Sequence, residues 1–476
     1  MPMAQIAAGH FEPDTVSDGR KILVNLYTEE NPTDAARRLR HMMRPGSRDR
    51  DTTNAIKANV RGVGQADGHA GGKVLVVDGV TVRTFDTSLN TFSALTGNVA
   101  GSDAVQFAFS EVEAAILAGG NLFVSTGAAV AGVSDADWTT LLSDHGQTAF
   151  TGIASIGQRL IATYGNRFAY SDTLDFNNTT TLNFYTAESS PDALIGCQVL
   201  SGRLYLFGTE TIELWVQTGN NDDPFRPQTG SVIQRGCVSA QTIEKLDNTI
   251  FFVGDDYTVR RINGLVAQIV SQPWVTRALR RENKADLIAS TMEIDNHTFY
   301  ILNGKLGCYV FDLSTNLWTK WQTYNKNSYD WAYVIEAAGN HYAGSREDGR
   351  FAELSRSFLS DYQSDATTFG TEIVLEFSAH LPTLGGRGPI PSIRIDGTKG
   401  RGSSADVNQE AIIEMRLSKD DGNTWGDWRP RSSGRQGQYG RRVIWRQNGR
   451  AREPQVIAHF RTNDPHLITG VAVGED

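Results

Sequence analysis

A short turn followed by an apolar strand recurs seven times between residues 71 and 345, and this recurrence limits the fold more than any other feature of the chain. Aligned on the turn, the segments are GGKVLVV at Gly71, GGNLFVS at Gly119, IGQRLIA at Ile156, SGRLYLF at Ser201, DNTIFFV at Asp247, DNHTFYI at Asp295 and GNHYAGS at Gly339. Successive starts lie 48, 37, 45, 46, 48 and 44 residues apart. The fullest copy, residues 187–219, places apolar strands on both sides of a tight polar turn, Ser201, Gly202 and Arg203. Strands so joined pair with each other. A lone meander of this kind cannot bury its own apolar faces, so the copies must cover one another.

Periods of about 40 to 50 residues with several strands each are those of propeller blades. One or two β-sandwiches are the alternative, since their strands also follow regular turns. We therefore expect an all-β protein with a six- or seven-bladed β-propeller over residues 62–360, closed so that no blade face is left uncovered. Residues 361–476 alternate in longer strands, near 371–380, 392–397, 411–422, 441–449 and 455–464. They suggest a β-sandwich-like platform domain. Residues 1–61 hold one strand, near 22–30, and a predicted short helix over 33–42. With few apolar residues, this arm is expected to dock on the platform or on a neighbouring subunit.

Chemistry is sparse along the chain. The formal charge of −9 argues against a general electrostatic grip on nucleic acid. Cys197, Cys237 and Cys308 have no metal-type spacing and read as buried thiols, which suits a reducing place of assembly. The N-terminus has no basic and apolar leader pattern and no run of about eighteen apolar residues occurs, so a soluble chain made in the cytoplasm, without stable membrane insertion, is expected. Residues 68–74 miss a phosphate loop, because the first glycine is displaced and Val74 stands where Ser or Thr would hold magnesium. The histidines are scattered and the paired carboxylates sit in turns. No catalytic residue, cofactor or metal site is expected.

Two local features stand out. Ser418, Asp420, Gly422, Thr424 and Trp425 fit the Asp-box pattern S-x-D-x-G-x-T-W. Asp-boxes occur in sialidases, so a carbohydrate-binding or glycoside-cleaving propeller is the competing reading, with Trp318, Trp321 and Trp331 as candidate sugar platforms. A single box outside the repeats reads as a structural hairpin, and the three tryptophans read as blade closures. The second feature is an arginine run over residues 429–461, with nine arginines against the lone acidic Glu453. Arginine suits paired contacts to carboxylates and stacking on aromatic rings. In 441–447 the alternation sets Arg442, Ile444 and Arg446 on one face and Arg441, Val443 and Trp445 on the other. We expect Arg441, Arg442, Trp445, Arg446, Arg450 and Arg452 to form an assembly interface; a DNA-facing ring and a solvated face of two strands are the alternatives.

The segments A-E-S-x-P-D-x-x-I-G (187–196), F-G-x-x-T-I-E (207–213) and V-I-Q-R-G-C (232–237) resemble those of the tail-hub or nozzle proteins of short-tailed bacteriophages, also called packaged-DNA stabilisation proteins. So do R-R-V-I-W-R-Q-N-G-R-A-R (441–452), V-N-L-Y (24–27) and R-P-G (44–46). These landmarks span nearly the whole chain in one order, with faint similarity between them. The resemblance implies a virion protein forming a ring, commonly a homohexamer, below the portal and tail adaptor. It implies partners as well: tail fibres or tailspikes, a tail needle or plug, and genomic DNA passing without sequence recognition. A propeller with a platform built from both chain termini is also implied, and the family brings no catalytic residues.

Overall fold

The computed structural model describes residues 3–14, 20–30, 39–51, 53–187, 192–364, 370–381, 388–400, 402–403, 406, 408–420, 422–451, 456–465 and 468–474. Seven four-stranded antiparallel meanders run in chain order, beginning with Val60–Gly64, Gln106–Phe109, Gly152–Ile156, Leu194–Leu200, Glu244–Leu246, Ile288–Ile294 and Trp331–Ala337. Each of these first strands neighbours the next, and the last returns to the first, so the ring is closed. The result is a propeller of seven blades. Six blades are separate sheets, and the sixth in order, Ile288–Lys320, is continuous with the sheet of the terminal domain.

The turns carry the reason for the repeat. Both central residues have positive φ at Gly157/Gln158, Ser201/Gly202, Asp247/Asn248, Asp295/Asn296 and Ala338/Gly339. Two-residue hairpins whose twist matches their strands need that conformation, and Gly, Asn and Asp adopt it at least cost. Six of the seven aligned turns join the first and second strands of a blade. In blade 2 the Gly119/Gly120 turn joins the second and third strands, Ala114–Ala118 and Asn121–Ser125. The short 37-residue interval records that slip.

The described residues of 1–61 are shared between the propeller and the terminal domain. Gly46–Asp49 pairs with Phe351–Ser355 and supplies the fourth strand of blade 7, so the ring is closed by strands from opposite ends of the propeller segment. Leu23–Val24 runs parallel to Leu317–Lys320 of blade 6 and antiparallel to Leu375–Leu381 of the sandwich. Met3–Ile6 lies between Leu375–Leu381 and Ile468–Val473. The platform is thus woven from both termini. Its core gathers Leu23, Phe377, Ile393, Met415, Val443, Trp445, Phe460 and Val471, all nearly inaccessible.

The helix expected over 33–42 is corrected where it is described. Leu39–Met43 is a strand paired with Leu26–Glu30, and residues 31–38 lie outside the described set. His41 and Met43 point inward while Arg40 reaches Glu29 at 2.8 Å, and this two-residue alternation against a partner strand overrides helix propensity.

Two buried histidines tie this arm down. The His10 Nε2 hydrogen-bonds the Glu12 carboxylate at 3.0 Å and its Nδ1 accepts from Leu23 N, while His41 Nδ1 lies 3.0 Å from the Thr28 hydroxyl. Burial pushes both imidazoles down from 6.5 to about 4. The unfolded chain therefore binds protons that the folded one refuses. Stability should be full above about pH 6.5 and fall by about 1 kcal/mol per pH unit per histidine as pH drops toward 4. Urea midpoints measured across that window check this, and a flat profile would contradict it.

The three thiols are buried and free, and burial raises Cys237 to about 11 and Cys308 to about 12. No described helix is long and apolar enough to cross a membrane. On the propeller axis lies a cavity of about 540 Å³, with walls drawn from most of the blades. It is spanned by Gln241, whose Nε2 donates to Ala104 O at 3.4 Å from the segment leading into blade 5 to the one leading into blade 2.

Candidate assembly surface

The Asp-box is a hairpin latched by one carboxylate. Asp420 Oδ1 accepts from Thr424 N (2.8 Å) and Ser418 Oγ (2.9 Å), and Oδ2 accepts from Thr424 Oγ1 (2.6 Å). Gly422 N donates to Ser418 Oγ at 2.7 Å, and Gly422 has a φ of 96°, which glycine adopts without strain. The side chains of Ser418, Asp420 and Thr424 are thus turned onto the hairpin itself. Asp420→Ala should cost about 1 to 2 kcal/mol through these lost turn bonds. The measurement is chemical denaturation, and a sialidase activity that vanished with Asp420 would overturn the structural reading.

Behind the hairpin, arginine and tryptophan interleave. The Arg416 guanidinium lies 4.9 Å from the centre of Trp425 and 4.5 Å from that of Trp428, and Arg461 lies 4.7 Å from Trp428. Arg461 Nε also donates to Glu414 at 2.5 Å. Arg416 Nε donates to His459 Nδ1 at 3.1 Å, which leaves the proton on Nε2, facing Glu376 at 3.0 Å. Burial holds this imidazole below its ordinary pKa despite the carboxylate beside it.

The arginine run divides once it is folded. Arg429–Gly434, a strand not foreseen from the sequence, directs Arg429 to Arg446 O (2.6 Å) and Asn448 Oδ1 (2.8 Å), and Arg431 to Ile444 O (3.3 Å). These guanidinium groups cap carbonyls in and just after the short Val443–Trp445 strand, which among the described residues pairs only with Ile393–Gly397 and so forms the sheet edge. An edge capped in this way is a poor template for another strand. Arg441 pairs with Glu410 at 3.0 Å.

Trp445 must be corrected. It is wholly buried, its ring 5.7 Å from Phe460 and its Nε1 donating to Arg429 O at 2.8 Å, so it belongs to the sandwich core and not to the surface. The alternation sends Val443 and Trp445 inward together, and Arg441 lies before the strand begins. Arg442, Arg446 and Arg450 are exposed, as are Arg435 and Tyr439, the latter at 69%. Arg452 lies outside the described residues.

Three of the sequence landmarks meet at one turn. Asp192 accepts from Glu210 N (2.8 Å) and Thr211 N (2.9 Å), so the 187–196 segment caps the turn at 208–211. Cys237 N then donates to Gly208 O at 2.9 Å, and Gly236 sits where a Cβ would meet Thr209 O at 1.9 Å. Backbone proximity explains why these residue types are spaced as they are. Trp318, Trp321 and Trp331 are at most 1% exposed, closing blades 6 and 7, and so are no sugar platforms.

A closed propeller welded to a sandwich, with its one Asp-box consumed in a hairpin, defines a two-part β scaffold. Residues 23–358 match the family model described as Bacteriophage P22 Gp10, beta-propeller, and residues 372–471 match that described as Bacteriophage P22 Gp10, beta-sandwich. The chain belongs to this family of structural tail proteins, the nozzle or DNA-stabilisation proteins of short-tailed phages. No curated protein matches it in sequence. Among solved structures it is similar to a computationally designed protein, Ika8, at 12% identity over 74% of this chain and 97% of that one, with a TM-score of 0.38. It is also similar to BamB from Moraxella catarrhalis, at 11% identity over 70% of this chain and 100% of that one, with a TM-score of 0.40.

Proposed function

We propose that copies of this chain, six in number, form a ring below the portal and adaptor of a short-tailed phage. The ring extends the DNA exit channel, retains the packaged genome and supports tail fibres or tailspikes, with a needle or plug at its tip. It works without catalysis, as part of the virion. The observation that carries this reading is the bridged propeller axis. A cavity of about 540 Å³ crossed by the Gln241 amide has no room for a duplex, whose major groove alone is about 12 Å wide. The blocked axis supports a path for DNA between copies instead of through one, as a ring of copies would provide.

The exposed Arg442, Arg446 and Arg450 suit contacts with acidic patches of a neighbouring copy or of the adaptor. The chain's net acidity favours release of DNA without sequence recognition. Changing these three arginines together to glutamine should abolish tail attachment and let DNA leak from filled heads. Normal tails with altered ejection speed would place the side chains in the bore instead. The mass of the assembled particle tests the sixfold count.

A further inference from the structure

The axial cavity takes no part in the assembly just described, and its wall has a chemistry of its own. At about 540 Å³ it falls within the size range of small-molecule sites. Its lining carries four carboxylates, Glu244, Asp247, Glu293 and Glu336, against one ammonium, Lys245. Glu244 comes from blade 5, and its carboxylate receives no hydrogen bond or ion pair from the described residues. Glu293 and Glu336 are exposed and act together on His341.

Two further observations point to a missing partner. Ser290 lines the cavity and is 4% exposed, and its hydroxyl has no hydrogen-bond partner among the described residues. His341 Nε2, also in the lining, is buried and equally without one. Unpaired polar groups in such a place cost stability unless something occupies it. Ile153, Met292 and Val334 add apolar wall to the same lining.

We propose that this cavity binds a small aliphatic amine, a diamine or short polyamine, with one ammonium at the Glu244 carboxylate and another toward the Glu293 and Glu336 mouth. A charge count of four against one repels anionic ligands and draws cations. A bare metal ion fits poorly, because no set of three His, Cys, Asp or Glu side chains converges among the described residues. An amine with a methylene chain offers ammonium groups to these carboxylates and apolar surface to Ile153, Met292 and Val334.

Burial holds the Glu244 carboxyl up at about 7, with Lys245 on its own strand pulling the other way. Tyr300 from blade 6 also acts electrostatically with it, and Asp247, Glu293, Glu336, His341, Cys197 and Tyr333 are the remaining titratable groups of the lining. An arriving ammonium favours the ionised carboxylate, so amine binding should strengthen as pH rises through about 7.

The test is calorimetric titration of the full chain with putrescine and with spermidine, beside butanediol and sodium chloride at matched ionic strength. Saturable binding of the amines is expected, weakened at least about tenfold in Glu244→Gln and several-fold in Ser290→Ala. In the unaltered protein it should weaken about tenfold from about pH 8 to about pH 6. Equal heats from salt or butanediol, or no saturation at all, would overturn the proposal. So would undiminished binding by Glu244→Gln. Should that variant not fold, binding that stays constant across the same pH range in the unaltered protein overturns the proposal by itself.

Discussion

Replacing Asp361 by alanine is expected to cost about 3 to 5 kcal/mol of stability, the range for a buried ion pair that loses one partner. Arg44 and Asp361 are 0% and 1% exposed, with Nη2 2.6 Å from Oδ2 and Nη1 3.0 Å from Oδ1. The same guanidinium donates to Asn25 Oδ1 at 2.9 Å and to Gln322 O at 3.1 Å, and lies 4.8 Å over the Tyr329 ring. One side chain thus joins the terminal arm, the link between blades 6 and 7, and the segment leaving the propeller. Without the carboxylate its charge stays buried and unpaired. An apolar pair, Arg44→Met with Asp361→Leu, should recover most of the loss, because both desolvation costs vanish together. Urea midpoints of the three proteins decide the matter. A loss below about 1 kcal/mol in Asp361→Ala would show that the junction relaxes and that the pair holds nothing.

Trp445→Ala should destabilise the sandwich by about 3 to 5 kcal/mol, through lost burial and the cavity left beside Phe460. Arg429 O would also lose its partner. Arg446→Gln, one residue along and exposed, should change stability by less than about 0.5 kcal/mol. The contrast separates the two roles that the alternation in 441–447 left open. Stability measured on purified chain, before any assembly, gives the answer. A Trp445→Ala protein of ordinary stability that failed only to assemble would return this side chain to the interface.

What the sequence by itself determined is local. The two-residue turns at 157–158, 201–202, 247–248, 295–296 and 338–339 name themselves through Gly, Asn, Asp and Ser, because positive φ is a property of the turn and not of its surroundings. From those turns came the period, and from the period the propeller. The Asp-box hairpin was equally readable, since all of its bonds close within a few residues. Blade 2 was misaligned for the converse reason: its first turn, 110–113, lacks positive φ and resembles no other.

Only the tertiary structure decided what depends on residues far apart in the chain. That Gly46–Asp49 completes blade 7 rests on pairing across some three hundred residues, and nothing in G-S-R-D announces its partner. The strand Leu39–Met43 reads as helix until Leu26–Glu30 lies beside it. Arg44 looks like any surface arginine until Asp361 meets it in the dark. The 429–461 run looked uniform because charge is visible in a sequence and its partners are not. Folding turned Arg429 and Arg431 to edge carbonyls, Arg441 and Arg461 to glutamates, and Trp445 to the core, while Arg435, Arg442, Arg446 and Arg450 stay exposed. Alternation along a strand tells which residues share a face. Which face is buried is settled by the sheet that packs against it.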